Sequence, residues 1–227
     1  MPQKISLICV FLPLVCVHTT LVIGIAMGNL EPCVPYWSEC HSISATGRQY
    51  PEFFVFKALM IPTAVFMAGY WLLLHKWLAH IDQSVKRTGI TAQGLVACIA
   101  LVVYTVTLGA VGEPYALARR MGIVFFFVFS SFAHLLLLAK LSRIDRSVLG
   151  IAGLYQIMFK LCLVLVISSI VSAIFGYLIP DIWDSWENAF EWTYSLFMIA
   201  LYFIVGKMWQ RTGFSWSTST QNPSSSD

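Results

Sequence analysis

The chain of 227 residues contains very little charge. Only 11% of its residues are Asp, Glu, Lys or Arg, whereas 58% are hydrophobic, and the mean hydropathy is +0.76. A soluble domain usually has roughly a quarter of its residues charged, because charged side chains cover its surface. The scarcity of charge therefore excludes an ordinary soluble globular protein.

Three further patterns are missing from the sequence. The basic residues form no stripe, so no nucleic acid is expected as a partner. No Cys/His spacing is typical of zinc, and we expect neither a metal nor another cofactor. No N-x-Ser/Thr acceptor or retention signal indicates a compartment, so several membranes stay open. These are the plasma membrane of a bacterium or eukaryote and the ER, Golgi or lysosomal membrane.

The hydrophobic residues are concentrated in six long runs. Each run is about long enough to cross a hydrocarbon core of ~30 Å, and the polar segments between them are short. We therefore predict an all-α polytopic membrane protein, a six-transmembrane-helix bundle within residues 1–210, followed by a disordered Ser/Thr-rich tail over 211–227. The predicted spans are 5–27, 53–74, 91–111, 121–141, 157–178 and 189–205. The first is too long for the core of a cleaved signal peptide and is expected to be retained.

The distribution of Lys and Arg predicts the orientation. One side of the predicted bundle collects four of them, Arg48, Lys57, Arg119 and Arg120. The other side collects nine, namely Lys4, Lys76, Lys86, Arg87, Lys140, Arg143, Arg146, Lys207 and Arg211. Because positive charge accumulates in the cytoplasm, both termini are predicted to be cytoplasmic.

Residues 41–54 form a polar stretch between the first two runs. Gly47 permits a turn, Pro51 suits the first turn of a helix, and Glu52 is favoured there by the helix dipole. From these properties alone, the stretch is explained as a well-capped helix entry that needs no further function.

The same stretch resembles a known family signature. The segment ISATG at 43–47, followed after three residues by Pro51-Glu52, is similar to the I-S-x-T-G-x-x-x-P-E motif after the first helix of the DRAM family. His41-Ser42 stand where members usually have Pro and an aromatic residue, and Ala45 stands where an acidic residue is common, which indicates a divergent member. We call Ile43, Ser44, Thr46, Gly47, Pro51 and Glu52 the 43–52 motif.

The resemblance implies a six-helix protein linked to membrane lipids. The family groups the damage-regulated autophagy modulators with the post-GPI-attachment-to-proteins factor, the yeast Sfk-type phosphoinositide-pathway proteins and the N-terminal domain of a cell-wall biogenesis protein. Its roles include GPI-anchor lipid remodelling, phosphoinositide-kinase regulation and autophagy or lysosomal signalling. By this resemblance, the 43–52 motif is expected to form an ordered structure over the bundle on the non-cytoplasmic side.

Two groups of charged residues are candidates for binding a lipid headgroup or an ion. Arg119 and Arg120, beside Pro114-Tyr115, could hold a lipid phosphate, and Glu113 in the same loop is a further candidate for binding a headgroup or an ion. The acidic residues before the last span recur every three or four positions and would line one face of a helix; they are Asp181, Asp184, Glu187 and Glu191. The alternative for the acidic group is a solvated, amphipathic entry to the sixth helix.

Cysteine and histidine give the remaining candidates. Cys33 and Cys40 lie on the predicted non-cytoplasmic side, where they could form a disulfide or stay as two free thiols. His18 and His134 lie within predicted spans, where ionisable groups are costly and often functional. A neutral imidazole bonded to a neighbouring helix is the simpler interpretation of each.

Three functions are compatible with these features. We favour a non-catalytic protein of membrane-lipid handling or regulation, with membrane lipids as partners and a protein partner in the membrane left open. The second hypothesis is a lipid hydrolase or acyltransferase using Ser42 or Ser44 with His41 and Glu52, although no nucleophile signature is present. The third is a small-solute transporter that would depend on His18 and His134.

Overall fold

The computed structural model describes residues 2–82 and 89–215. Within these residues the chain is all-helical and has no strand. All six helices are long and apolar enough to span a membrane, which confirms the six predicted helical segments. The helices are α1 (Pro2–Ala26), α2 (Glu52–Ile81), α3 (Gly89–Thr107), α4 (Glu113–Leu141), α5 (Ala152–Leu178) and α6 (Pro180–Arg211), and a short 3₁₀ turn covers Ala45–Gly47.

Most helices extend beyond the predicted apolar runs. Helix α6 begins at Pro180, well before residue 189, because its acidic first turns are helical without being apolar. Helix α4 likewise begins at Glu113, with Pro114 in its first turn. Helix α3 ends four residues early, at Thr107, because the chain turns at Gly109 and Gly112, whose φ angles are 80° and 120°.

Consecutive helices pack against each other, and α6 packs back against α1. The six helices therefore form a closed ring. Its interior is filled by aromatic side chains with almost no exposure, notably Tyr70, Trp71, Tyr202 and Trp209. Tyr70 and Tyr202 lie 4.6 Å apart between ring centroids, which ties α2 to α6 through the centre.

Helix α5 is the least buried member of the ring. It buries only Met158, Cys162 and Leu165, packs mainly on α6 and contacts α4 lightly. Most of its other apolar side chains are exposed, as expected of a surface covered by lipid tails. The weak contact leaves a gap between α4 and α5.

Three connections lie at one end of the bundle: residues 27–51, residues 108–112 and residue 179. We call this end the motif end. At the opposite end, Lys140 donates to Asp82 over 2.7 Å and Trp77 Nε1 donates to Thr212 Oγ1 over 2.9 Å. Phe214 is also buried there, so the first residues of the predicted tail pack on the bundle. Lys86, Arg87 and tail residues 216–227 lie outside the described residues.

Candidate functional site: an amphipathic cleft at the motif end

A cleft of about 1030 Å³ opens between α4, α5, α6 and the 43–52 motif. This volume lies at the upper end of ordinary small-molecule sites, ~300–1,000 Å³. On α4 its lining runs from Ala116 to Leu135, about 28 Å along the helix axis at 1.5 Å per residue. One leaflet of a bilayer with its headgroups is roughly 20–22 Å thick. The cleft is therefore long enough to hold one membrane lipid.

One wall of the mouth of the cleft is cationic. Arg48, Arg119 and Arg120 all line the cleft, and the structure places the predicted pair Arg119-Arg120 on α4. Ser44 Oγ accepts a hydrogen bond from the Arg48 guanidinium over 2.7 Å, so the motif orients this arginine. None of the three has a carboxylate within 4.0 Å among the described residues. Their donors are consequently available to an anionic group.

The opposite wall of the mouth carries carboxylates. Glu187 and Glu191 line the cleft from α6, one on each side of Asn188. Glu191 is partly used by the fold, because its Oε2 accepts from the Ile43 N–H over 3.3 Å. It also interacts electrostatically with Glu187 and Arg48. The remaining acidic candidates, Glu113, Asp181 and Asp184, are exposed and do not line the cleft.

Charges of both signs converge on Tyr104, which is buried on α3 and lines the cleft. Its phenol interacts electrostatically with Glu191, Arg48 and Arg119. The tyrosine hydroxyl itself has no hydrogen-bond partner among the described residues. A buried donor without a partner usually binds water or a ligand group.

Below the mouth, the walls are apolar apart from a group of hydroxyls. Phe127, Val128, Phe132 and Leu135 of α4 line this part. Three hydroxyl groups link the surrounding helices, those of Ser131 on α4, Ser169 on α5 and Tyr194 on α6. The Tyr194 oxygen lies 3.0 Å from Ser131 Oγ and accepts a hydrogen bond from Ser169 Oγ over 3.4 Å. Such bonds hold helices together where no water competes for the hydroxyls. These hydrogen bonds connect α5 with α4 and α6.

The 43–52 motif packs on the bundle through buried groups. Thr46 Oγ1 lies 2.9 Å from Thr20 Oγ1 of α1, and both threonines are buried. Gly47 has no positive φ; a Cβ at this position would lie 2.5 Å from the Phe56 ring. The glycine is needed for close packing and not for the turn that the sequence predicted.

Glu52 is also buried, with 2% of its surface exposed. Its Oε1 accepts from Asn29 Nδ2 over 2.8 Å, and the same amide donates to the Tyr50 carbonyl over 3.0 Å. Glu52 therefore fixes the segment that precedes α2. Of the motif, Ser44 lines the cleft, whereas Ile43, Thr46, Gly47 and Glu52 are buried, and Pro51 is half-buried as the residue that precedes α2.

The hydrolase hypothesis required Ser42 or Ser44 beside His41 and Glu52. The two serine oxygens bond to each other over 3.1 Å. His41 Nε2 instead contacts the backbone of Glu31, at 3.1 Å from its nitrogen. Within the described residues no hydrogen bond joins these serines to His41 or Glu52, so the structure does not assemble the proposed group.

The segment before the motif is fastened to α6. A disulfide joins Cys33 to Cys40. The Cys40 carbonyl accepts from Asn188 Nδ2 over 2.7 Å, and the His41 carbonyl accepts from Trp192 Nε1 over 2.9 Å. The disulfide loop is thus fastened to α6 next to the segment that lines the cleft through Ser42, Ser44 and Arg48.

The two intramembrane histidines lie in different environments. His18 Nδ1 donates to the Leu14 carbonyl over 2.8 Å, because a carbonyl can only accept, and His18 Nε2 lies 2.9 Å from the Tyr36 hydroxyl oxygen. Burial raises the pKa of Tyr36, which keeps that phenol a donor. His134 is fully buried against Trp71 and Tyr202, and its Nε2 has no partner among the described residues. The structure does not bring the two histidines together, since His134 packs among Tyr70, Trp71 and Tyr202.

Several residues of the cleft were not predicted as site residues. Arg48 was used only for the orientation, and Ser131, Ser169 and Tyr194 were not considered. Hydroxyls inside predicted spans are a signal that could have identified the last three, because such groups seek partners on neighbouring helices. Among the described residues, no group of three His, Cys, Asp or Glu side chains could hold a metal ion.

No protein-family model, curated protein or solved structure matches this chain.

Proposed function

We propose that this protein binds a membrane lipid in the cleft at its motif end and acts, without catalysis, in lipid handling or regulation. The observation that carries the proposal is the form of the cleft. Its mouth has three arginines, its lower walls are apolar, and its lining on α4 extends over more than the thickness of one leaflet. A phospholipid has the same sequence of parts, a phosphate followed by hydrocarbon chains.

The gap between α4 and α5 supplies the route of entry. A lipid can move sideways from the bilayer into the cleft, without its chains crossing water. The cost of exposing hydrocarbon to water is about 0.8 kcal/mol per CH₂ group, so a lateral route is strongly favoured over an aqueous one.

The orientation is part of the proposal. We place both termini in the cytoplasm and the motif end on the other side, on the basis of the excess of Lys and Arg at the end opposite the motif. The cleft would then receive lipid from the non-cytoplasmic leaflet. The disulfide between Cys33 and Cys40 supports this placement, because such bonds persist on oxidising sides of membranes.

The resemblance of the 43–52 motif to the DRAM family agrees with this function. Under the proposal, the motif serves the site indirectly: its buried residues hold the segment in place, and Ser44 aims Arg48 at the mouth. The roles in GPI-anchor, phosphoinositide or autophagy pathways remain the class of function that the resemblance implies.

The test is identification of co-purifying lipid by native mass spectrometry. Wild type is compared with an Arg119→Ala/Arg120→Ala double variant and with Arg143→Ala, which removes an exposed arginine outside the cleft. We expect a specific phospholipid on the wild type and on Arg143→Ala, and its loss from the double variant. Equal amounts of bulk lipid on all three proteins would contradict the proposal.

A further inference from the structure

We infer that the cleft selects a phospholipid whose headgroup carries both a phosphate and a primary ammonium group. This inference rests on the proposed function and concerns the identity of the lipid. It follows from the arrangement of charges at the mouth, where arginines and carboxylates stand on different elements that face the same space.

The phosphate side is formed by α4 and the motif. Arg119 is half-buried at the mouth, and the guanidinium of Arg48 is held by Ser44 Oγ. A guanidinium binds two phosphate oxygens through parallel N–H donors, and its planar form makes this geometry specific. Every diacyl phospholipid has this phosphate, so these residues supply affinity without distinguishing among headgroups.

The ammonium side is formed by α6. Glu187 is exposed at the mouth and has no hydrogen bond or ion pair among the described residues, whereas Glu191 already binds the Ile43 N–H. Glu187 is therefore the carboxylate with free acceptors. Glu187 also interacts electrostatically with Glu191, one turn further along α6.

Headgroups of other types fit this mouth less well. A glycerol headgroup or a bare phosphate brings only negative charge and hydroxyls, so it offers no cation to Glu187. A choline headgroup has a positive charge but no N–H, and such groups are normally bound by the faces of aromatic rings. The lining that contains Glu187 also contains the side-chain oxygens of Asn188 and Ser42, which suit an ammonium with N–H donors.

The net charge of the mouth leaves two amine lipids as ligands. Three arginines and the free carboxylate of Glu187 are complementary both to the ethanolamine headgroup and to the serine headgroup, in which an additional carboxylate would meet the third arginine. Both share the phosphate and primary ammonium. The experiment below separates them.

The experiment is a titration of delipidated, full-length protein in detergent, followed by native mass spectrometry. The probes are dioleoyl lipids with ethanolamine, serine, glycerol, choline or free phosphate headgroups. We expect the ethanolamine or serine lipid to bind about tenfold more tightly than the glycerol and choline lipids, the size expected for one hydrogen bond to a charged group. Glu187→Gln should remove this preference and leave the affinity for the glycerol lipid unchanged or higher.

The control variant is Glu39→Gln, the same change at an exposed glutamate outside the cleft, which should keep the preference. Thermal unfolding of each variant verifies that Glu187→Gln is folded. If all headgroups bind equally, but Arg119→Ala/Arg120→Ala still lowers their affinity, the inference about the ammonium fails and the proposed function stands. If neither the headgroup nor the arginine substitutions change the affinity, the inference and the proposed function both fail. A preference that persists in Glu187→Gln also overturns the inference.

Discussion

The hydroxyl oxygens of Thr20 and Thr46 lie 2.9 Å apart in the interior, joining α1 to the motif that precedes α2. Thr20 Oγ1 also lies 3.0 Å from the Cys16 carbonyl, and Thr46 Oγ1 lies 2.9 Å from the Ile43 carbonyl. The motif is thus locked to the first helix by a small buried network. This lock determines where Ser44 and Arg48 stand at the mouth of the cleft.

The first prediction concerns the strength of this lock. Thr46→Val keeps the shape of the side chain and removes the hydroxyl, so we expect a loss of about 1 kcal/mol of unfolding free energy. Thr20→Val should cost a similar amount, and the double variant should cost less than the two single changes together, because they remove the same bond. Thermal unfolding in detergent measures all three. Thr105→Val, whose hydroxyl bonds only to Leu101 of its own helix, is the control; strict additivity would contradict the coupling.

The second prediction concerns the close contact at Gly47. A methyl group there would meet the Phe56 ring, so Gly47→Ala should destabilise the protein by about 1–3 kcal/mol. Phe56→Leu in the same chain should recover part of this loss by making space. The matched control is Gly69→Ala in α2, where a Cβ meets no atom within 4 Å and no such destabilisation is expected. Equal effects at both glycines would show that the Phe56 contact is unimportant.

The third prediction separates orientation of Arg48 from its charge. Ser44→Ala removes the oxygen that accepts from the guanidinium over 2.7 Å and leaves the arginine in place. We expect affinity for the bound phospholipid to fall about threefold to tenfold, and to fall further in Arg48→Ala. The measurement is lipid titration by native mass spectrometry. Wild-type affinity in both variants would exclude Arg48 from the site.

The fourth prediction concerns the disulfide loop. Cys33→Ser/Cys40→Ser should lower the unfolding free energy by about 2–3 kcal/mol, because the cross-link no longer restrains the unfolded chain. Peptide mapping without reduction should identify the linked pair in the wild type, with Cys9, Cys16, Cys98 and Cys162 as thiols. Recovery of Cys33 and Cys40 as free thiols from membranes isolated with a blocking reagent would contradict the bond.

The sequence was sufficient to predict the helices, because each apolar run needs an internally hydrogen-bonded backbone in a membrane. The sequence predicted the ends of the helices less accurately. Asp181, Asp184 and Glu187 lower the hydropathy of the first turns of α6 without breaking the helix, so the apolar run began too late. At α3 the error had the other sign, since Gly109 and Gly112 end the helix inside an apolar stretch.

The site was only partly predictable, because its residues come from separate elements. Arg119 and Arg120 are adjacent in sequence and could be recognised as a pair, and both line the cleft. Arg48 joins them only because the buried Thr46 and Gly47 place the motif over the bundle. Which of four acidic residues face the cleft also depends on the rotation of α6, and a spacing of three or four residues cannot fix that rotation.

The most direct test of the central claim is to locate the lipid by photo-cross-linking. The probe is an ethanolamine phospholipid with a diazirine in one acyl chain, incorporated into vesicles with the full-length protein and mapped by mass spectrometry. The account predicts strong labelling of Val128 and Phe132, which line the cleft, and reduced labelling of both in Arg119→Ala/Arg120→Ala. Ile99 and Val103 on α3 are comparably exposed but lie outside the cleft, and we expect only weak labelling there. Equal labelling of both surfaces, unaffected by the arginine changes, would contradict a lipid site in the cleft.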